Sequence, residues 1–238
     1  MSATVKTAHS AHRYLEMFGI AAFAILEVVV AWRSLTHAHT VLDWLVVAGA
    51  TLAGFVAADF MSGLVHWAFD RYGSDDTPLF GPNFIVPFRE HHVDPKGITR
   101  HDFIETNGNN CIATVPILAG AASLDPTWGA MALLTSCFLG AMCLFVFATN
   151  QCHKWAHEDE PPTWVAALQR WHLILDKPGH DVHHNPPFET YYCITTGWLN
   201  PLLARLDFFA RAERLIFKLT GVKGGIDDAK VVGDRRAS

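Results

Sequence analysis

Apolar residues fall in long blocks along this chain, separated by tight polar connections and by one extended polar stretch. The first block, about residues 14–32, is interrupted by Glu16 and Glu27 and is just long enough to span a hydrocarbon core of roughly 30 Å. The second, residues 41–64, is rich in Val, Ala, Gly and Leu and carries Asp59 near its end. After a polar stretch over residues 66–110, the block 111–124 is shorter than the roughly 20 residues that a full helical span requires. It therefore borrows residues from Ile104 onward, or is tilted and partly buried. Asp125-Pro126 marks a tight connection, and residues 127–149 form the clearest span. The simplest reading is an all-α integral membrane bundle of about four transmembrane helices, in two hairpins, with a histidine-rich cap.

Two hairpins place the connections 33–40 and 124–127 on one face. Of the 18 Lys and Arg residues, only Arg33 lies there. The positive-inside tendency assigns the other face, and with it the cap, to the cytoplasm. Residues 1–13 are polar, lack the layout of a secretory signal and read as a disordered or surface lead-in. The membrane domain covers 14–220, and residues 221–238 form a polar, Gly-containing tail. Within the membrane domain, residues 198–220 mix Leu202, Leu206, Phe209, Leu215 and Phe217 with Arg205, Arg211, Arg214 and Lys218. An interfacial amphipathic helix has this pattern, and so does a core helix of a cytoplasmic cap.

Composition agrees with the block pattern: half of the 238 residues are hydrophobic and only 17% are charged, with a mean hydropathy of +0.18, too apolar for an ordinary soluble domain. A net charge of -5 with no Lys/Arg block argues against a nucleic-acid partner. The five cysteines include no Cys-x-x-Cys pair, so neither a disulfide framework nor a thiolate zinc ribbon is indicated.

The chemistry lies in the histidines, which cluster just beyond the predicted spans. His66 and Asp70 stand at i, i+4 at the end of the second block, on one helical face. Alone, such a pair is more often a capping or hydrogen-bonding pair. Arg89-Glu90-His91-His92 follows a Pro/Gly-rich loop. His153 and His157 follow the last span at a spacing that converges two nitrogens if the helix continues. His180, His183 and His184 stand at i, i+3, i+4, so one helical turn between Gly179 and Pro186 can aim all three inward. Eight histidines and Asp70 are too many for one ion, since a zinc site takes three or four protein ligands, and two metals are the economical count. Imidazole suits iron, zinc, copper and nickel alike. A site beside acyl chains favours an oxygen-activating iron, with zinc hydrolysis as the competing chemistry. His101 and His172 lack a partner at ligand spacing and are assigned supporting roles. His37 and His39 fall on the opposite face. Asp59 and Glu27, inside apolar blocks, line a pocket or make a buried contact, and the sequence does not choose.

These motifs carry a resemblance. The chain resembles the plasmanylethanolamine desaturase family, the Kua or CarF type of lipid desaturase, which also includes plant plastid enzymes acting on phosphatidylglycerol. The similarity covers roughly residues 59–221. It runs through Asp59-Phe60-Met61-Ser62-Gly63-Leu64-Val65-His66-Trp67, Phe88-Arg89-Glu90-His91-His92-Val93-Asp94-Pro95, the run from Ile98-Thr99-Arg100-His101-Asp102 to Gly108, and Tyr192-Cys193-Ile194-Thr195-Thr196-Gly197-Trp198-Leu199-Asn200. It implies that His66, His91, His92, His153, His157, His180, His183 and His184 bind a di-iron centre. It also implies an O2-dependent conversion of a 1-O-alkyl ether phospholipid into a vinyl ether, a plasmalogen. The chain has no Gly-rich dinucleotide fingerprint and no Cys-x-x-Cys-His haem motif, so electrons come from a separate donor. The resemblance suggests a cytochrome b5 or a ferredoxin. The competing expectations are an acyl-lipid or fatty-acid desaturase or hydroxylase, and a non-enzymatic membrane signalling protein responding to oxidant or light.

Overall fold

The computed structural model describes residues 3–78 and 81–225, with side chains described from Ala11 onward except at positions 82 and 83. The described residues are mainly helical and include no strand. Four long helices are α1 (Ala3–His37), α2 (Val41–Arg71), α4 (Phe103–Ser123) and α5 (Ala130–His157). Shorter ones are α3 (Val86–Val93), α6 (Thr163–Arg170), α7 (Lys177–Asp181), α8 (Asn200–Arg205) and α9 (Phe208–Thr220). The chain divides into two compact units, residues 1–59 with 101–152, and residues 60–100 with 153–238; of the three boundaries, those at 59/60 and 152/153 fall inside α2 and α5, and the third just precedes α4.

The first unit holds the apolar helices. Three helices are long and apolar enough to cross a membrane: Ala11–His37, Val41–Arg71 and Ala130–His157. Most of their apolar surface points outward, as Ile25, Val28, Trp32, Leu45, Leu52 and Met131 show, which in water would be prohibitive and in lipid is the expected arrangement. The fourth helix forms too. It starts at Phe103, upstream of the apolar block, because Asp102 caps it by accepting from Ile104 N (2.9 Å) and Glu105 N (3.0 Å). Its first turns carry Glu105, Thr106, Asn107, Asn109 and Asn110, so it borrows polar residues and is not among the three membrane-length helices.

Helices α1 and α4 pack through Phe23, Val30, Cys111, Leu118 and Ala121. Between α2 and α5, a Cβ on Gly54 would stand 2.6 Å from the Phe138 carbonyl, so the backbones meet at a contact only glycine permits. Arg33 donates to the Ala122 carbonyl and pairs with Asp125 at 3.4 Å, which brings the two tight connections together as the hairpin reading requires. Glu27 is partly buried, and its Oε2 is shielded without a protein partner, while Asp59 is fully buried.

The first helix is assigned from Ala3, so most of the polar lead-in continues α1. Residues 1–2, and the part of the tail from 226 to 238, lie outside the described residues.

The second unit is short helices wrapped around an irregular buried segment. Trp67, Tyr192, Cys193, Leu203 and Phe209 form its main core. Segment 190–196 is non-helical yet largely buried, so each backbone polar group there needs a partner. Asn200 supplies two, accepting from Cys193 N and donating to Cys193 O, each at 2.8 Å. Ser62 Oγ accepts from Ile194 N (3.0 Å), and Leu175 N donates to Thr195 O (3.0 Å). Gly63 lets α2 lie against this segment, since a Cβ there would stand 2.6 Å from Cys193 Sγ. The amphipathic stretch 198–220 is two helices, broken at Asp207, whose left-handed backbone (φ 48) turns the chain between α8 and α9. Leu203 and Phe209 are buried in the core, whereas Leu202, Leu206, Leu215, Phe217 and Leu219 are exposed.

Candidate metal centre

The continued helices bring the histidines together. α2 runs unbroken to Arg71, so His66 and Asp70 share a face, and α5 continues to His157, so His153 and His157 do as well. Asp176 caps α7 by accepting from Gly179 N (2.9 Å), fixing the turn that carries His180. That turn continues through His183 N and His184 N, both donating to the His180 carbonyl at 2.9 and 3.3 Å.

All nine expected residues fall into two groups, within each of which the candidate ligand atoms lie within 4.8 Å of one another. One group is His91, His153, His157, His180 and His184; the other is His66, Asp70, His92 and His183. Sequence neighbours part company: His91 and His92 go to different groups, and so do His183 and His184.

The fit to a cation follows from proton counting. His66 Nδ1 lies 3.1 Å from the Tyr192 carbonyl and His183 Nδ1 lies 2.8 Å from the Thr190 carbonyl. A carbonyl can only accept, so each imidazole carries a proton on Nδ1 and, in the neutral form that ligates a metal, presents a bare lone pair at Nε2. Both Nε2 atoms then face Asp70 Oδ2, each at 3.4 Å, with His92 Nε2 on the same oxygen at 3.1 Å. Lone pairs converging on a carboxylate in a dry site repel unless a cation lies among them. His66 Nε2, His183 Nε2 and Asp70 Oδ1 are indeed buried without a hydrogen-bond partner.

In the other group the Nε2 atoms face one another: His153 to His180 at 2.8 Å, His180 to His184 at 3.0 Å and His153 to His157 at 3.3 Å. His91 Nε2 is buried and unpartnered. Burial first, and then the neighbouring imidazoles, hold His91 and His180 well below the usual histidine range and push His184 down to about 2. They are thus neutral, the form that ligates a metal. A cleft of about 430 Å³, lined by Val93, Asp94, Pro95, Lys96, Lys177 and Asp181, reaches His157 and His184.

The remaining histidines lie outside both groups. His101 pairs with Glu105 at 3.5 Å, and His172 pairs with the capping Asp176 at 3.4 Å. Sequence reasoning missed Thr190 and Tyr192, which act through backbone carbonyls. The signal within reach was the buried-looking run 190–200 beside a histidine cluster, with Asn200 available to satisfy its backbone.

Membrane-length helices joined to two histidine-built ligand groups define a membrane protein of the multi-histidine metal-binding class. Residues 55–227 match the model of the lipid desaturase domain, and the chain belongs to that family. It is 49% identical to the plasmanylethanolamine desaturase of Myxococcus xanthus, over 91% of this chain and 76% of that protein. Against plasmanylethanolamine desaturase 1 of Mus musculus it is 48% identical, over 83% and 76%. Against the chloroplastic fatty acid desaturase 4 of Arabidopsis thaliana it is 35% identical, over 73% and 53%. No solved structure matches.

Proposed function

We propose that the chain is an O2-dependent di-iron desaturase that converts plasmanylethanolamine, a 1-O-alkyl ether phospholipid, into the vinyl ether plasmalogen. The observation that carries this reading is the pair of adjoining buried ligand groups, which supply nine donor residues sorted five and four. Two relatives at 48 and 49% identity bear the name of that activity. Iron in these groups would activate O2, the oxidant, for removal of one hydrogen from each of two adjacent carbons beside the ether oxygen; O2 is reduced to two waters by those two hydrogens together with two electrons from a donor and two protons from solvent.

The protein's own part is positioning and exclusion. Carbonyls of Thr190 and Tyr192 fix the tautomers of His183 and His66, so both present Nε2 toward Asp70. Burial of His66, Asp70, His180 and His183 keeps water from the donor atoms. The donor is a separate protein such as a cytochrome b5 or a ferredoxin. The metal centre belongs on the cytoplasmic side, because the two connections tied together by Arg33 and Asp125 hold a single Lys or Arg between them.

The test is lipid analysis of a host lacking vinyl ethers, with and without the gene, with iron measured on the purified chain. Acid-labile vinyl ethers are expected only with the intact gene and are lost with His153→Ala or His184→Ala. Normal plasmalogen in either variant sinks the assignment. A second reading, an acyl-lipid desaturase, draws on the 35% identity to the chloroplastic fatty acid desaturase 4. It is told apart by the product, since ordinary alkenes release no aldehyde in acid.

A further inference from the structure

We infer that Glu213, on α9, is a positioning residue for the Asp70-containing ligand group and not for the five-histidine group. Its carboxylate accepts three N–H bonds: from Trp67 Nε1 at 3.0 Å, from Arg71 Nε at 2.8 Å and from Arg71 Nη2 at 3.1 Å. The Arg71 arm of this contact is the two-pronged geometry that holds a guanidinium in one orientation. The third guanidinium nitrogen, Arg71 Nη1, reaches Glu189 at 3.2 Å.

The bonded residues are neighbours of ligands. Trp67 follows His66, Arg71 follows Asp70, and Glu189 precedes Thr190, whose carbonyl orients His183. One carboxylate thus braces the chain next to three of the four members of that group. Packing reinforces it, since Phe209, one turn before Glu213, lies 5.5 Å from Trp67 in a tilted pair and 4.8 Å from Tyr192 edge-on, by ring centroid. Arg71 and Glu213 are 11% and 20% exposed, sheltered enough for the pair to hold its geometry. The five-histidine group is carried by α3, α5 and the α7 turn, and among the described residues no bond from Glu213 goes to a neighbour of His91, His153 or His157. Glu213 lies outside every histidine motif, which is why spacing gives no hint of it.

The inference rests on the two-metal reading, and the experiment separates them. The full-length chain, purified without metal, is titrated anaerobically with ferrous iron, and iron per chain and Mössbauer doublets are recorded. The unaltered chain is expected to bind about two irons; clearly fewer would overturn the two-metal reading itself. In Glu213→Ala, one iron is expected to bind about 10- to 100-fold more weakly while the other is unchanged. The weakened doublet is expected to be the one lost in Asp70→Ala. Glu213→Gln, whose amide oxygen still accepts from Trp67 and Arg71 Nε but which loses the charge and the acceptor for Arg71 Nη2, falls between, and it decides the matter if the alanine variant does not fold. Unchanged binding of both irons, or parallel weakening of both as a merely structural role would give, overturns the inference.

Discussion

The two ligand groups use adjacent residues of the same short segments, yet they are held in different ways. The Asp70 group is oriented from outside: two of its three imidazoles have Nδ1 pinned to backbone carbonyls, and its carboxylate touches all three rings. The five-histidine group is oriented by packing, in mostly edge-on pairs such as His91 with His153 at 4.4 Å and His157 with His180 at 4.6 Å between ring centroids. His180 Nδ1 and His184 Nδ1 are buried without a hydrogen-bond partner. The first carries a carboxylate that would partly neutralise a cation, and His66, Asp70 and His183 in it are fully buried. The second is uncharged, and a cleft opens onto it. The difference teaches that metal ions held by the two groups would be chemically unequal: one would be electrostatically anchored by Asp70, the other held by neutral imidazoles beside a cleft.

The strongest way to break this comparison is to remove single ligands from sequence neighbours. His91→Ala is expected to weaken only the iron of the five-histidine group, and His92→Ala only that of the Asp70 group, each abolishing vinyl ether formation. Iron titration with lipid analysis checks this. If both variants lose the same iron, the partition is wrong.

That partition was open to reading in principle. Consecutive residues of a helix point roughly 100° apart, so adjacent histidines cannot serve one small ion equally. Three of the four clusters were legible because i, i+3 and i+4 spacings make faces, the adjacent His91 and His92 only by company with them, and the long helices because apolar blocks of span length have few other uses. The carbonyls of Thr190 and Tyr192 were not legible, since every residue has a carbonyl and only tertiary structure selects two of them. The break at Asp207 was hidden for a related reason: the amphipathic pattern runs straight through it, and a single left-handed residue leaves no mark on periodicity.

A smaller effect probes the outside orientation. Asn200→Ala leaves Cys193 N and O without their buried partner, which is expected to cost about 2–4 kcal/mol of stability. Because this loosens the segment carrying the Tyr192 carbonyl, the Asp70-group iron should weaken more than the other. Thermal unfolding in detergent, paired with iron titration, reads both effects. Equal weakening of the two irons would show that segment 190–193 supports the whole cap and not one group.

The smallest effect comes from Asp176, and it sharpens the comparison by being indifferent to it. Its carboxylate caps the turn that presents His180 and, one turn on, His183 and His184, which divide between the groups. Removing the cap in Asp176→Ala is expected to cost about 1 kcal/mol, while Asp176→Asn, an equally good cap, should be close to neutral. Since the turn feeds both groups, both irons should loosen together and slightly, in contrast to the one-sided loss expected from Glu213→Ala. A one-sided loss in Asp176→Ala would mean that the α7 turn orients one group alone, and that the remaining histidines are held by contacts further along the chain.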